Sequence, residues 1–198
     1  MSDGRISLDH LAHDIVGRSG FRFTVADDGT RELAYQLRYR AVVDHRMEAT
    51  EVFPDGRERD SYDDRAIHII GWDADTPIAT GRIVLPPGPL PTEKACGFTV
   101  DPCGRVADVG RMTVARTHQG PGAHSTFLAL LARLYLEVRA QHFEFACGVM
   151  SPRARSLMRL LGLHVEVLGN DRPYWGELRA PVRFALTIDA SPIATRLG

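Results

Sequence analysis

The sequence predicts an α/β protein: one domain on a mixed, twisted sheet of about seven strands flanked by helices. Three observations carry this. Short runs rich in β-branched and aromatic residues recur along the chain, separated by stretches whose apolar residues return at helical spacing. In the middle, residues 108–139 read as a strand, a glycine-containing loop and a long helix in direct succession. The chain has 198 residues, 44% of them hydrophobic and 25% charged, with no internal repeat, linker or low-complexity stretch. That is enough chain to bury a substantial core in a single domain.

Residues 6–16 carry Ile6, Leu8, Leu11, Ile15 and Val16 among polar neighbours, the pattern of an amphipathic helix. His10 and His13 lie one turn apart there, and with no third ligand nearby they read as a solvated face rather than a metal pair. Phe21, Phe23 and Val25 alternate with Arg22 and Thr24 as a first strand. A turn at 27–29 follows, with Thr30 placed to cap the next helix, which runs through Leu33, Leu37, Ala41 and Val42 and carries Arg38 and Arg40. Residues 48–59 are polar, with a loop at Pro54, Asp55 and Gly56. Strands at 66–72 and 78–85 enclose a turn at 73–77 and form a hairpin.

Proline and glycine at 86–91 prevent that second strand from continuing, so 86–104 is expected to be a loop anchored by Phe98 and Val100. In the central unit, Val109, Met112 and Val114 mark the strand, and Gly120, Pro121 and Gly122 mark the loop. Phe127, Leu128, Leu131, Leu134, Tyr135 and Val138 mark the helix from Ser125 onward. A strand at 143–149, a helix at 153–161 stopped by Gly162, and strands at 163–168 and 182–188 complete the order. The last two strands are separated by a loop holding Pro173, Tyr174 and Trp175.

Composition removes several functional classes. A net charge of −1 gives no electrostatic reason to expect nucleic acid or an anionic membrane. No apolar run reaches membrane-spanning length, and the first ten residues lack a signal-peptide core, so a cytoplasmic protein is expected. Cys96, Cys103 and Cys147 show no Cys-x-x-Cys spacing, which indicates neither a disulfide framework nor a zinc site.

Two stretches carry chemistry. A glycine loop between a strand and a helix presents backbone N–H groups at a helix N-terminus, which suits a phosphate. No Gly-Lys-Ser/Thr closes it as in a Walker loop, and Gly-x-Gly-x-x-Gly is absent. The second stretch is Glu58, Asp60, Tyr62 and Asp63, spelling E-x-D-x-Y-D ahead of a strand. Such crowded acids repel one another unless cations or solvent compensate. Arg38, Arg82 and Arg111 lie in ordered, largely apolar stretches, and a buried arginine needs a carboxylate. The three arginines are therefore expected to meet Asp60, Asp63 or Asp108 in a partly buried ion-pair network.

The loop resembles the Q/R-x-x-G-x-G/A loop of GCN5-related N-acetyltransferases (GNAT). Gln119 and Gly122 match, and His124 stands where that family has Gly or Ala. The resemblance implies a GNAT-like domain in which Met112, Val114, Gln119, Gly120, Gly122, Ala123, His124 and Ser125 contact the pyrophosphate or pantetheine of a thioester.

Over residues 30–165 the chain further resembles acyl-homoserine-lactone synthases and long-chain N-acyl amino acid synthases. The shared features are Arg38, matching an arginine followed by an aromatic on the first helix of those families, the acidic run Glu58 to Asp63, Gly81-Arg82 on a hairpin strand, and Asp108-Val-Gly-Arg111 on the next. There are departures. Val42 stands where those synthases usually have Phe, no tryptophan follows it closely, and Asp108 replaces a glutamate. Met158 falls near the place where many acetyltransferases put a tyrosine acid.

What the resemblance implies is transfer of an acyl group from acyl-CoA or an acyl-carrier protein to a small, amino-acid-like amine. Coenzyme A or phosphopantetheine thioester would be a co-substrate, with no tightly bound cofactor or metal. Asp108 is the first candidate base, with Glu58 and Asp60 behind it; a structural partnership of Asp108 with Arg111 or Arg82 has equal weight. A backbone N–H near Met112 or Thr113 would hold the oxyanion if the strand is splayed there. Arg38, Asp60, Asp63, Arg82 and Arg111 are the expected acceptor-binding set. His118 and His124 are expected to face solvent. The rival readings are a conventional acetyltransferase acting on a peptide or protein amine, and a GNAT-like module that binds a thioester without turnover.

Overall fold

Neighbouring residues on the central strands belong to different cores. Ile69 and Ile70 on β2 (Ala66–Asp73), Ile83 and Val84 on β3 (Thr76–Val84), Val106 and Ala107 on β4 (Val106–Val114), and Ala146 and Cys147 on β5 (Phe145–Met150) are all buried. Successive strand side chains point to opposite faces, so an unbroken apolar run is what a sheet covered on both sides requires. The structure, a computed structural model, describes residues 7–48, 50–119, 123–160 and 163–186. The loop glycines Gly120 and Gly122, Gly162, and residues 187 and 188 of the last expected strand lie outside these.

On one face, α4 (Ala123–Ala140) lays Leu130, Leu134 and Val138 against Ile69, Ile78, Ile83 and Ala107, and α5 (Pro152–Leu160) adds Met158. The first helix, α1 (Leu8–Arg18), packs on α4 rather than on the sheet alone. On the other face, α2 (Arg31–His45) packs Ala34 against Ile70 and Trp72. There Leu90 and Val100, on either side of the short helix α3 (Pro91–Cys96), meet Val84, Val106 and Cys147.

Among the described residues the sheet has eight strands. β1 (Arg22–Val25), β2, β3, β4 and β5 are neighbours in that order, followed by β8 (Glu177–Ala185) and β6 (Val165–Val167), with β7 (Arg172–Tyr174) paired to β8 off this path. All pairings are antiparallel except β4 with β5. That parallel pair joins only Val106–Phe145, Ala107–Ala146 and Asp108–Cys147, although both strands continue. At the crotch, a Cβ on Gly148 would lie 2.7 Å from the Val109 carbonyl oxygen, so only glycine lets β5 approach β4 there. Beyond it the two strands fork.

A bulge sits on the same strand. Arg82 pairs with Gly110 and Thr80 with Thr113, which leaves Gly81 facing both Arg111 and Met112. Arg111 takes a φ of 51°, sparsely populated for a residue with a side chain.

Several expectations need correction. The stretch 86–104 contains α3, because Pro91 starts a helical turn and Glu93 ties it down by accepting the N–H groups of Leu90 and Val100, each at 2.9 Å. Its apolar anchors are Leu90 and Val100, while Phe98 is 38% exposed. Thr30 occupies the position before α2 without capping it, since its hydroxyl donates to Asp27 Oδ1 at 2.7 Å and closes the preceding turn. The expected loop around Pro173, Tyr174 and Trp175 is a hairpin, which supplies the eighth strand.

Candidate active site

The acidic run crosses the sheet at the level of the β4 bulge, fixed by the Glu58 N–H donating to the Tyr35 carbonyl at 3.2 Å. Three carboxylates and three guanidinium groups interlock there. Arg38 donates through Nη1 and Nη2 to Asp63 Oδ1 and Oδ2 at 2.8 and 3.0 Å, and through Nε to Glu58. Arg82 donates to Asp60 and Asp63 at 2.7 and 2.9 Å. Arg111 reaches Glu58 and Asp60, both at 3.2 Å. Arg38, Glu58, Asp63 and Arg82 are buried, so the equal count of opposite charges is what makes the arrangement tolerable in a low dielectric.

Burial alone would raise the Asp63 carboxyl. Bonding to Arg38 and the charges of Arg38 and Arg82 outweigh it, and hold the group well below the ordinary carboxylate range. Burial likewise disfavours charge on Arg38, and its bonds to Asp63 and Glu58 push it the other way, above the usual arginine value.

Asp108 is in a different place. It shares a face with Val106, pointing under α3, where Oδ2 accepts the Thr92 N–H at 2.7 Å and lies 3.6 Å from the Cys147 sulfur. Burial raises its carboxyl, and it raises the Cys147 thiol in turn. No ion pair joins Asp108 to Arg82 or Arg111 among the described residues; its place in the expected network is taken by Glu58. The physical reason is position along the strand. The bulge turns Arg111 onto the face that Asp108 and Arg82 share, but Asp108 lies further along the strand beneath α3, while Arg111 meets the acids beside α2.

Two cavities meet at the fork. A polar one of about 600 Å³ is lined by Arg38, Glu58 and Arg111 from the network, by Met112, Thr113 and Val114 from β4, by His118 and Gln119 beyond it, and by the β7–β8 hairpin. A smaller apolar one of about 130 Å³ lies between α1, α4, α5 and the sheet, with Leu11, Val109, Leu131, Ala132, Tyr135, Met158 and Phe184 in its walls. Met112 lines both. Asp108, Asp60, Asp63 and Arg82 line neither.

Of the expected thioester contacts, Met112, Val114 and Gln119 border the polar cavity. The Gln119 amide donates to the Val114 carbonyl at 2.6 Å, which folds the loop back onto the strand end. Ala123 starts α4, Ser125 is exposed in its first turn, and no side-chain position is described for His124. His118 packs edge-on against Phe21 and bonds Asp73 at 3.1 Å, so it is partly enclosed rather than solvated. Met158 is buried in the core.

Sequence reasoning missed Trp175, Glu177 and Arg179, which the hairpin brings into the polar cavity. The available signal was a tight-turn Trp-Gly between two short runs, weak because tryptophan seldom occupies a turn.

Among solved structures the fold is similar to that of acyl-homoserine-lactone synthases and of an N-acyl amino acid synthase. LasI, an acyl-homoserine-lactone synthase, is 16% identical with a TM-score of 0.72 over 88% of this chain and 93% of that one. BjaI, a CoA-dependent acyl-homoserine-lactone synthase solved with SAM and isopentyl-CoA, is 19% identical with a TM-score of 0.68 over 91% and 81%. FeeM, an N-acyl amino acid synthase from uncultured soil microbes, is 13% identical with a TM-score of 0.63 over 89% and 98%. At these identities the likeness is one of fold. No protein-family model and no curated protein matches the chain. Among the described residues, no helix is long and apolar enough to cross a membrane, and no His/Cys/Asp/Glu group is placed to hold a metal ion.

Proposed function

We propose that this protein is an N-acyltransferase moving a fatty-type acyl group from acyl-CoA or acyl-carrier protein to the amine of a small, amino-acid-like acceptor. The observation that carries the reading is Met112, whose position on the wall of both cavities puts an apolar slot next to a charged one. A thioester carbonyl at Met112 would send its acyl chain into the slot and meet the acceptor on the other side. Helix α4 begins at Ala123, four residues after Gln119 in the cavity wall, and N–H groups at a helix start suit the pyrophosphate or phosphopantetheine of such a donor.

In this reading the acceptor nitrogen attacks the carbonyl carbon, the C–S bond breaks, and the thiol leaves protonated. Beyond Asp108, β4 no longer pairs with β5, so the Met112 and Thr113 backbone has room to donate to the oxyanion. Of the two carboxylates in the cavity wall, Glu58 and Glu177, Glu58 is the buried one held by Arg38 and Arg111. We assign it the acceptor's proton, directly or through a held water. Each of its oxygens has two lone pairs, so bonding to Arg38 and Arg111 leaves acceptor capacity toward the cavity. Arg38, Asp60, Asp63 and Arg82 act by fixing Glu58 and Arg111 in place.

The test is thiol release from a panel of acyl thioesters, with and without amines. Release that needs both a medium or long acyl donor and a small amine is the expected result. Fastest release from acetyl-CoA with a peptide amine would support a conventional acetyltransferase, for which the apolar slot has no use. Thioester binding without release would support a binding module.

A further inference from the structure

The tip of the β7–β8 hairpin is built against its backbone preference. Tyr174 pairs with Glu177, so Trp175 and Gly176 form a two-residue turn, at φ 52° and 72°. Turns with both central residues at positive φ ordinarily use Asn-Gly, Asp-Gly or Gly-Gly. A tryptophan there carries strain that those residues avoid, and it persists because surrounding contacts fix it. Phe53 stacks on the indole at 6.3 Å between centroids and 17° between planes, and the Arg111 guanidinium lies 4.4 Å from the indole centroid. The strained residue thus walls the polar cavity and touches an arginine of the ion network.

Arg179, two residues into β8 from the tip, lines the same cavity. Unlike Arg38, Arg82 and Arg111, it has a distant carboxylate partner, Glu177 at 3.5 Å, whose side chain is 59% exposed. Its partner across the hairpin is Arg172. Like charges directly opposite on a ladder are unfavourable, and a bound anion relieves the repulsion. The cavity wall therefore carries both an acid held in the network, Glu58, and a weakly compensated cation from the hairpin, Arg179.

Building on the acyltransferase reading, we propose that the Trp175–Arg179 segment is the acceptor-recognition element, and that the acceptor carries a carboxylate. Arg179 binds that carboxylate and Trp175 supplies the wall along the acceptor's body, leaving the amine toward Glu58.

The experiment compares free amino acids with their methyl esters, which keep the amine and remove the negative charge. With wild-type protein, kcat/KM for the best amino acid should exceed that for its ester by tenfold or more. Arg179→Met should remove that preference through the acceptor KM, with donor KM and ester turnover unchanged, and Arg179→Lys should restore it in part. Trp175→Ala should raise the acceptor KM for acid and ester alike, and Trp175→Phe should do so less. Wild-type protein using both equally, or Arg179→Met losing both equally, overturns the proposal. Calorimetry with the same amino acids, run without thioester, separates the two readings. Arg179-dependent binding without any acylation keeps the carboxylate site and removes the acyltransferase. Acylation of amines without an Arg179-dependent carboxylate preference does the reverse.

Discussion

Arg38 and Asp63 form a two-bonded ion pair, at 2.8 and 3.0 Å, with each side chain only 2% exposed. Helix α2 supplies the cation and the short turn before β2 supplies the acid, so the pair ties α2 to the sheet beside the cavity. Asp63 also accepts the Asp60 N–H at 2.7 Å, which shapes the acidic run around itself.

Breaking this pair from one side leaves an uncompensated buried charge. Arg38→Met or Asp63→Asn should each lower stability by about 3–5 kcal/mol in chemical denaturation. A loss below about 1 kcal/mol would mean that water reaches the pair and that it behaves as a surface contact.

His68 predicts an acid-sensitive window. It is buried on β2, edge-on to Tyr35, with Nε2 3.4 Å from the Asp63 carbonyl and Nδ1 without a partner in the structure. Burial is the main cause that lowers its pKa to about 4; Arg38 and Arg82 add to it, and Asp63 opposes it. Between pH 6.5 and 4 the unfolded chain binds a proton there that the folded one refuses, so stability falls as pH falls. The loss across that window is roughly 3 kcal/mol. His68→Gln should flatten the stability–pH curve in this range. The depressed Asp63 acts in a lower window: its contribution is lost only as pH drops below the ordinary carboxylate value.

Asp108 and Glu58 should separate cleanly. Asp108→Ala leaves the Thr92 N–H without its acceptor and should cost about 1–3 kcal/mol, with turnover per folded molecule nearly normal. Glu58→Gln should lower turnover by about a hundredfold to ten-thousandfold while donor binding survives. If Asp108→Asn, which keeps an acceptor for Thr92, shows the larger turnover loss, the base is Asp108 acting from beneath α3.

The apolar cavity makes a chain-length prediction. Ala132 lies in its wall on α4, and Ala132→Phe places a ring in the slot. The ratio of kcat/KM for long to short acyl donors should fall by tenfold or more. An unchanged chain-length profile would place the acyl chain elsewhere.

The order of strands and helices was legible because the periods of 2 and 3.6 are local properties, and most element boundaries fall within a few residues of their expected places. The pairing of arginines with acids was legible for a global reason: charges embedded in apolar strands must find opposite charges wherever the fold permits. The sequence even held a trace of the bulge, since Val109, Met112 and Val114 are spaced three then two, which no regular strand allows if all three share a face. What it did not decide was parity. One extra residue at Arg111 puts that side chain on the face Asp108 and Arg82 share and sends Met112 to the opposite one. Asp108 lies under α3 and Glu58 in the cavity wall because of where α3 and the acidic run pack. Trp175 and Arg179 reach that cavity from the far end of the chain by a hairpin docked on Phe53 and Arg111. Such contacts are set by packing between remote elements, and no local period in the sequence encodes them.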